Sequence, residues 1–437
     1  MSSGVLDEAR LEPGGVVAGS APLPAVASGR LVRLLRSLRT ARPSVVFVCS
    51  LLSGVVVSAV VIVVSVPASR SAWGELFSHP SRTLSQTADT LNLAYGALLA
   101  GALGRPGAFA TALTHSSLAN WALALGPLGS TITTAEPLAI SGMGLAIAYR
   151  SGVFNIGAAA QLICGGVAAS WVGFSFSWMP MPLHVALGLL AGCAGGALGA
   201  AIPGILKVRT GANEVIVTIM MNYIMAGVLT WLISNTFFSQ MENTSPVGRL
   251  TAPSGTLPYL FGPVVQIDAG AVVAVVALLF GWALLTRSRL GFELELSGAS
   301  PGAARLAGIR HRRVFLIAFC ISGAIVGLAG GVEIIGAQHQ LQSTFGTDIG
   351  VLAITVAFVG RNRPLGVLLA ALLYGILQNG GLNLQGATGL SYQLSSVVES
   401  IIVLFMVAPA LVAELYRLRP APNASLRSLA LSRGWGQ

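Results

Sequence analysis

Apolar runs of roughly 18 to 25 residues recur along the whole chain, the length at which a helix crosses the hydrocarbon of a bilayer. Inside a bilayer no water satisfies backbone amides, so such runs must fold as helices that close their own hydrogen bonds. Composition agrees: 54% of the 437 residues are hydrophobic and 9% are charged, against about 25% charged in soluble domains. The expected architecture is an all-α integral membrane domain over residues 45–413. Polar tails flank it at 1–44 and 414–437.

Spans are expected at 45–66, 130–149, 153–173, 183–206, 214–234, 267–286, 314–338, 349–360, 364–385 and 393–413, about ten in all. The run 349–360 is short, so it either extends outward through Asp348 or is partly re-entrant. Asn92–Gly104 is apolar but too short to cross, and is expected to lie at the outer surface or dip in. With both termini cytoplasmic, 21 of the 25 basic residues fall on the inner side, leaving Arg70, Arg82, Arg105 and Arg249 outside. One missed helix would invert every later loop and destroy that asymmetry. The net charge of +10 is therefore topology chemistry and not a nucleic-acid surface: the basic residues sit at span ends without interleaved aromatics. Arg30, Arg33, Arg36, Arg39 and Arg42 recur every third residue. They read either as an amphipathic helix on anionic lipid or as a plain anchor for the first span.

The densest charge pattern lies between two spans, in the polar loop 287–313. Arg287, Arg289, Arg305, Arg310, Arg312 and Arg313 face only Glu293 and Glu295 there. Ser300-Pro301 reads as an N-cap followed by proline at the first helical position, and Gly308 supplies a left-handed stop. The spacing predicts a helix of about two turns, too short to persist alone in water. It reads as a docking element, or else as a solvated turn that merely satisfies topology.

Enzyme chemistry finds no support in the inventory. No Gly-Lys dipeptide exists, so a phosphate-binding loop of that type is absent, and no H-E-x-x-H pair occurs. Cys49, Cys164, Cys193 and Cys320 each fall in an apolar run without metal-ligand spacing and read as small core residues. Polar residues within spans remain: Asn155 and Gln161, Asn222 and Tyr223, Glu333, Gln338 and His339, and Glu399. A charge at mid-membrane costs about 2.5–3.5 kcal/mol on insertion scales, so these should face the bundle interior or water. Asn155, Gln161, Asn222, Tyr223, Glu333 and His339 are candidates for a solute path, with interhelical hydrogen bonding as the competing role for each amide. Glu214 suits a helix N-terminus. Gly188, Gly192 and Gly196 form one small-residue ridge and Gly323, Gly327 and Gly331 another, both expected to serve packing. LAIAYRSGVFNIG (145–157) and LAITVAFVGRNRPLG (352–366) each end a span at an Arg turn and resume after a Gly, a weak parallel repeat.

Four segments in this order and spacing, GVFNIGAAAQL, GANEVIVTIMMNY, GASPGAARLAGI and AFVGRNRPLG, resemble the permease subunits of bacterial ABC importers. The group is the ribose, branched-chain amino acid and nucleoside permeases, and the likeness, over residues 90–410, is greatest to the nucleoside and simple-sugar branch. The resemblance implies a type II-like permease domain in the plasma membrane that carries a nucleoside or related simple sugar. It implies as partners a cytosolic ATPase that uses ATP and magnesium, a second permease, identical or homologous, and an extracytoplasmic binding lipoprotein. The chain itself would hold no cofactor. It further implies that Ser300, Pro301, Ala304, Arg305, Ala307, Gly308 and Arg310 belong to the helix that couples to the ATPase.

Two departures stand out. Where the nucleoside branch has Asn-Ile-Gly-Ala-Glu-Gly-Gln, this chain has Ala159 and Ala160 before Gln161. Where Gly-Phe-Asp-Gly-Ile-Ala is common, it has Gly350 through Thr355 as GVLAIT. The alternative from another class is an ion-coupled secondary transporter with Glu333 or Glu399 as proton carrier.

Overall fold

The computed structural model describes residues 43–235, 237–240, 246–262, 265–389 and 392–417. The arginines from Arg30 to Arg42 and the tail beyond residue 417 lie outside the described residues. The fold is a bundle of helices: α1 (Pro43–Ser65), α2 (Pro67–Gly74), α3 (Pro80–Leu103), α4 (Pro106–Thr114), α5 (Leu118–Arg150), α6 (Ala158–Ser175), α7 (Met181–Thr210) and α8 (Glu214–Asn235). These are followed by α9 (Gly270–Arg287), α10 (Arg289–Ala299), α11 (Pro301–Leu306), α12 (His311–Val332), α13 (Thr347–Val359), α14 (Pro364–Thr388), α15 (Tyr392–Val407) and α16 (Pro409–Leu415). Among the described residues the only strand-like pairings are three isolated bridges.

Helix α5 is the axis of the bundle. Ser117 caps it by accepting from Asn120 N at 3.2 Å, and its stretch 135–148 is buried on every side. A helix enclosed all round has neighbours all round; α9, α12, α13 and α14 surround it. The principal core gathers Leu138, Met143 and Ile147 of α5 with Phe319 and Val326 of α12 and Tyr374 of α14. A smaller core joins α1, α3, α14 and α15 through Ile62, Ala94, Leu377 and Ile402.

The two glycine ridges pack against each other. A Cβ placed on Gly192 would sit 2.9 Å from the Gly327 carbonyl oxygen, and one on Gly196 would collide with Gly323. Gly327 is also pressed by Gly165 of α6. Helices α6, α7 and α12 thus meet backbone to backbone, the close approach that substitutes for a hydrophobic driving force in lipid.

All ten expected segments are helical. Among the described residues, seven helices are long and apolar enough to cross a membrane; α5, which holds the expected span 130–149, is not one of them, and Thr347–Val359 and Gln393–Val407 are shorter apolar helices. Four boundaries differ from the sequence reading. Asn92–Gly104 is not a short surface piece but the second half of the 24-residue α3, whose Gly101 packs on Asn383 and whose Leu98 packs on Gly380 of α14. Helix α6 starts at Ala158 and not at 153, because Gly152 takes a left-handed turn (φ 73°) and Asn155 folds back on Gly157 N at 3.0 Å. The 287–313 loop holds a second helix, α10, ahead of the expected short one. The last span breaks at Ala408, since Pro409 disfavours helical geometry in the residue before it.

The repeat has a structural counterpart. Helices α5 and α13 pack together and end side by side, with Tyr149 stacked on Phe358 at 4.8 Å and Phe154 beside both. Their directions are therefore parallel. The turn after α13 uses Arg361 and Asn362 at positive φ, 54° and 53°, where the turn after α5 uses Gly152.

Candidate functional site

One end of the bundle carries the short helix expected from the sequence. Ser288 caps α10 by accepting from Gly291 N at 2.9 Å. An Arg150–Glu295 ion pair at 2.8 Å then binds α10 to the end of α5. Gly298 lies against the Arg150 carbonyl, so closely that a Cβ there would approach it to 2.5 Å. Ser297 Oγ meets His311 Nδ1 at 2.6 Å, and Glu293 is taken by Arg289 at 3.3 Å. Both glutamates of the segment are thus engaged at the base.

Helix α11 stands out from that base. Ser300 Oγ accepts from Ala303 N at 3.3 Å, and Pro301 occupies the first helical position. The far end is a crossed pair of hydrogen bonds, Gly308 N to Arg305 O at 3.0 Å and Ile309 N to Ala304 O at 2.9 Å, with Gly308 at φ 76°. Ala304 alone of the six helical residues is buried, while Arg305, Ala307 and Arg310 are exposed and Leu306 is 94% exposed. Among the described residues Arg305, Arg310, Arg312 and Arg313 have no carboxylate within ion-pair distance. The result is an apolar knob on a doubly capped turn, flanked along the chain by four uncompensated guanidiniums. Such a surface fits a groove that is apolar at its floor and acidic at its rim.

The amide candidates form a different feature. Asn155 and Gln161, 0% and 1% exposed, exchange reciprocal hydrogen bonds at 3.0 and 3.1 Å. Asn155 also donates to Ser322 Oγ of α12 at 3.1 Å. Asn222 of α8 accepts from Ala160 N at 2.9 Å and donates to Ile156 O at 3.0 Å, so it caps α6 from a neighbouring helix. All three side chains are occupied in joining helices. Tyr223, 72% exposed, points away from them. At the start of α8 the capping side chain is Asn213, which accepts from Val215 N at 2.9 Å; Glu214 instead pairs with Lys207 at 2.7 Å.

Glu333 and His339 belong to the opposite end of α12. There the helix widens into a π turn, Glu333–Gln338, stopped by His339 at φ 58°. Glu333 Oε1 accepts from Gln338 Nε2 at 2.8 Å. The chain before α9 straps over this end: Gly248, Thr251 and Leu257 donate backbone N–H to the carbonyls of Leu341, His339 and Ile335, each at 2.8 Å. Two further carboxyls, which the sequence reading did not single out, lie beneath the strap. Asp268, 2% exposed, accepts from Gly270 N at 2.6 Å, and Glu136 of α5 lies against the same glycine. The signal for Glu136 was a lone acid inside an otherwise neutral run; Asp268 had none, being one residue in a polar loop. His184, equally buried, is satisfied by Ser254 Oγ at 2.9 Å and Val172 O at 3.0 Å. The four cysteines are half-buried and free.

Comparison with known proteins agrees with this arrangement. The family model "Branched-chain amino acid transport system / permease component" matches residues 128–407. The guanosine ABC transporter permease protein NupP of Bacillus subtilis is 35% identical over 72% of this chain and 90% of its own length. The nucleoside ABC transporter permease protein NupB of Lactococcus lactis is 32% identical over 64% and 78%. The ribose import permease protein RbsC of Escherichia coli is 28% identical over 63% and 82%. No solved structure matches the chain. A helical, multi-span chain that matches this model over α5 to α15 and these relatives over most of their length is a plasma-membrane protein without enzymatic activity of its own: it belongs to the branched-chain amino acid transport system permease family of ABC transporters.

Proposed function

We propose that this chain is the membrane permease of an ATP-driven importer and forms the path for a nucleoside or related simple sugar. An extracytoplasmic binding protein delivers the solute. The observation that carries the reading is α11: a six-residue helix capped at both ends, fixed through α10 to the central helix, and exposing Leu306 among unpaired arginines. A structure stabilised locally yet left uncovered is a contact made for another chain. In this reading α11 faces the cytoplasm and seats in an ATPase that binds ATP and magnesium, because this sequence has no phosphate-binding loop. A second permease, identical or homologous, completes the path. ATP-driven closure of the ATPases moves α11 and rocks the bundle between two openings. The names of the relatives, a guanosine, a nucleoside and a ribose permease, support a ribosyl or sugar cargo; they do not favour an ion-coupled carrier.

The test is Arg305→Asp with Ala307→Asp in the reconstituted complex. Solute-stimulated ATP hydrolysis should collapse while basal hydrolysis by the ATPase persists. Stimulation equal to that of the parent complex overturns the coupling role.

A further inference from the structure

A polar cavity of about 170 Å³ lies between α5, α14 and α15, in a part of the bundle that the coupling surface and the amide cluster do not touch. Its wall carries Thr134, Gln378, Asn379, Ser395 and Glu399. These side chains lie within helices that are otherwise mostly apolar, where each polar group is costly to bury without a partner.

Part of the wall is already committed. Ser395 Oγ donates to Gly381 O at 3.1 Å, and Asn379 Nδ2 donates to Thr131 Oγ1 at 3.3 Å, which in turn donates to Ala102 O at 2.7 Å. These bonds fix α3, α5, α14 and α15 relative to one another. Glu399 is different: its Oε1 is buried and accepts no hydrogen bond within the described structure. No arginine, lysine or histidine lines the cavity with it. A carboxylate held this way in an apolar helix calls for a donor from outside the chain.

We propose that this cavity is a station for the hydroxyl groups of a ribosyl or sugar solute, with Glu399 as acceptor and the Gln378 and Asn379 amides beside it. Adjacent hydroxyls offer two O–H donors at the spacing of a carboxylate's two oxygens, and they accept in return from amide N–H groups. The wall supplies that combination. The volume suits a single sugar ring and leaves the rest of a nucleoside outside the cavity, consistent with a low-affinity stop on a path and not a storage site. This deepens the permease reading above and rests on it.

The experiment uses the chain assembled with its ATPase in nanodiscs, without the binding protein. Equilibrium binding of tritiated guanosine and D-ribose is compared between the parent chain and Glu399→Gln, which keeps shape and removes charge. Binding to the parent should be saturable, and the variant should bind at least about tenfold more weakly, the loss expected for one charge-assisted hydrogen bond. The parent should bind 2′,3′-dideoxyguanosine as weakly as the variant binds guanosine. A second readout is Leu382→Cys, on the cavity wall. Guanosine should slow its thiol labelling in the parent background and not when combined with Glu399→Gln. Equal guanosine binding by Glu399→Gln, equal binding of the dideoxy analogue, or saturable uptake of sodium ion in place of either sugar overturns the proposal. The permease reading is scored separately, by binding-protein-stimulated ATP hydrolysis in the same preparation. A parent complex that hydrolyses ATP in step with uptake yet binds neither probe removes the cavity's role alone.

Discussion

Replacing Leu306 with alanine separates a docking surface from a solvated turn. The side chain is 94% exposed on α11, so its truncation removes almost no intramolecular contact. Surface changes of this kind move stability by no more than about 0.5 kcal/mol. If the knob is buried in a partner, the same truncation removes about three carbons at about 0.8 kcal/mol each, roughly 2.4 kcal/mol of association free energy. That corresponds to about a fiftyfold rise in Kd, at 1.4 kcal/mol per factor of ten. The helix should not unravel, because its caps, Ser300 and Gly308, are untouched and alanine is a good helix former. The assay is interferometry of the ATPase on the nanodisc-embedded chain, with thermal unfolding of the same sample. The expected result is a large loss of affinity at unchanged Tm. A change in Kd below about threefold, less than one methylene is worth, would mean that Leu306 remains in water in the complex and that the reasoning fails.

Gly327→Leu should abolish the meeting of α7 and α12, since backbone atoms of Gly192 and Gly196 occupy the space a side chain needs. A cost of about 3 kcal/mol or more is expected, seen as lost folded yield on size-exclusion chromatography, and a monodisperse parent-like peak would contradict it. Asn155→Leu leaves the buried Gln161 amide and the Gly157 N–H without their partners. It should lower stability by about 1–3 kcal/mol in denaturant titration while uptake per folded molecule stays near the parent value. Normal stability with lost uptake would return Asn155 to the solute path.

The parts of this fold legible in the sequence were those set by local rules. Apolar run length located the helices, and the Ser300-Pro301 and Gly308 signals placed α11 to the residue. The glycine ridges were visible as spacing, although only the structure pairs one ridge with the other. What escaped depended on neighbours distant in sequence. Helix α3 has a polar first half, with Trp73 of α2 donating to Thr87 at 3.2 Å, and its apolar half meets α14 through a short stripe of Ala94, Leu98, Gly101 and Ala102 that is too narrow to mark the whole helix. Asn155, Gln161 and Asn222 read from composition alike as path-lining or helix-joining groups; that Asn155 and Gln161 bond each other, and that Asn222 bonds the backbone at Ala160, is visible only in the fold. The convergence of Glu136 and Asp268 on Gly270 required two segments to meet, which no window of sequence records.

The two stretches that depart from the nucleoside-branch pattern touch each other in the fold. Gly350 of α13 rests on Ala159 of α6, so that even a methyl group on the glycine would fall 2.5 Å from the alanine Cα. Any side chain at 350 is therefore barred while α6 stays in place, and the glycine there, which this chain shares with the nucleoside-branch pattern, lets α13 lie directly on α6. A single glycine thus sets how near two backbones come at the very place where the acid is lost.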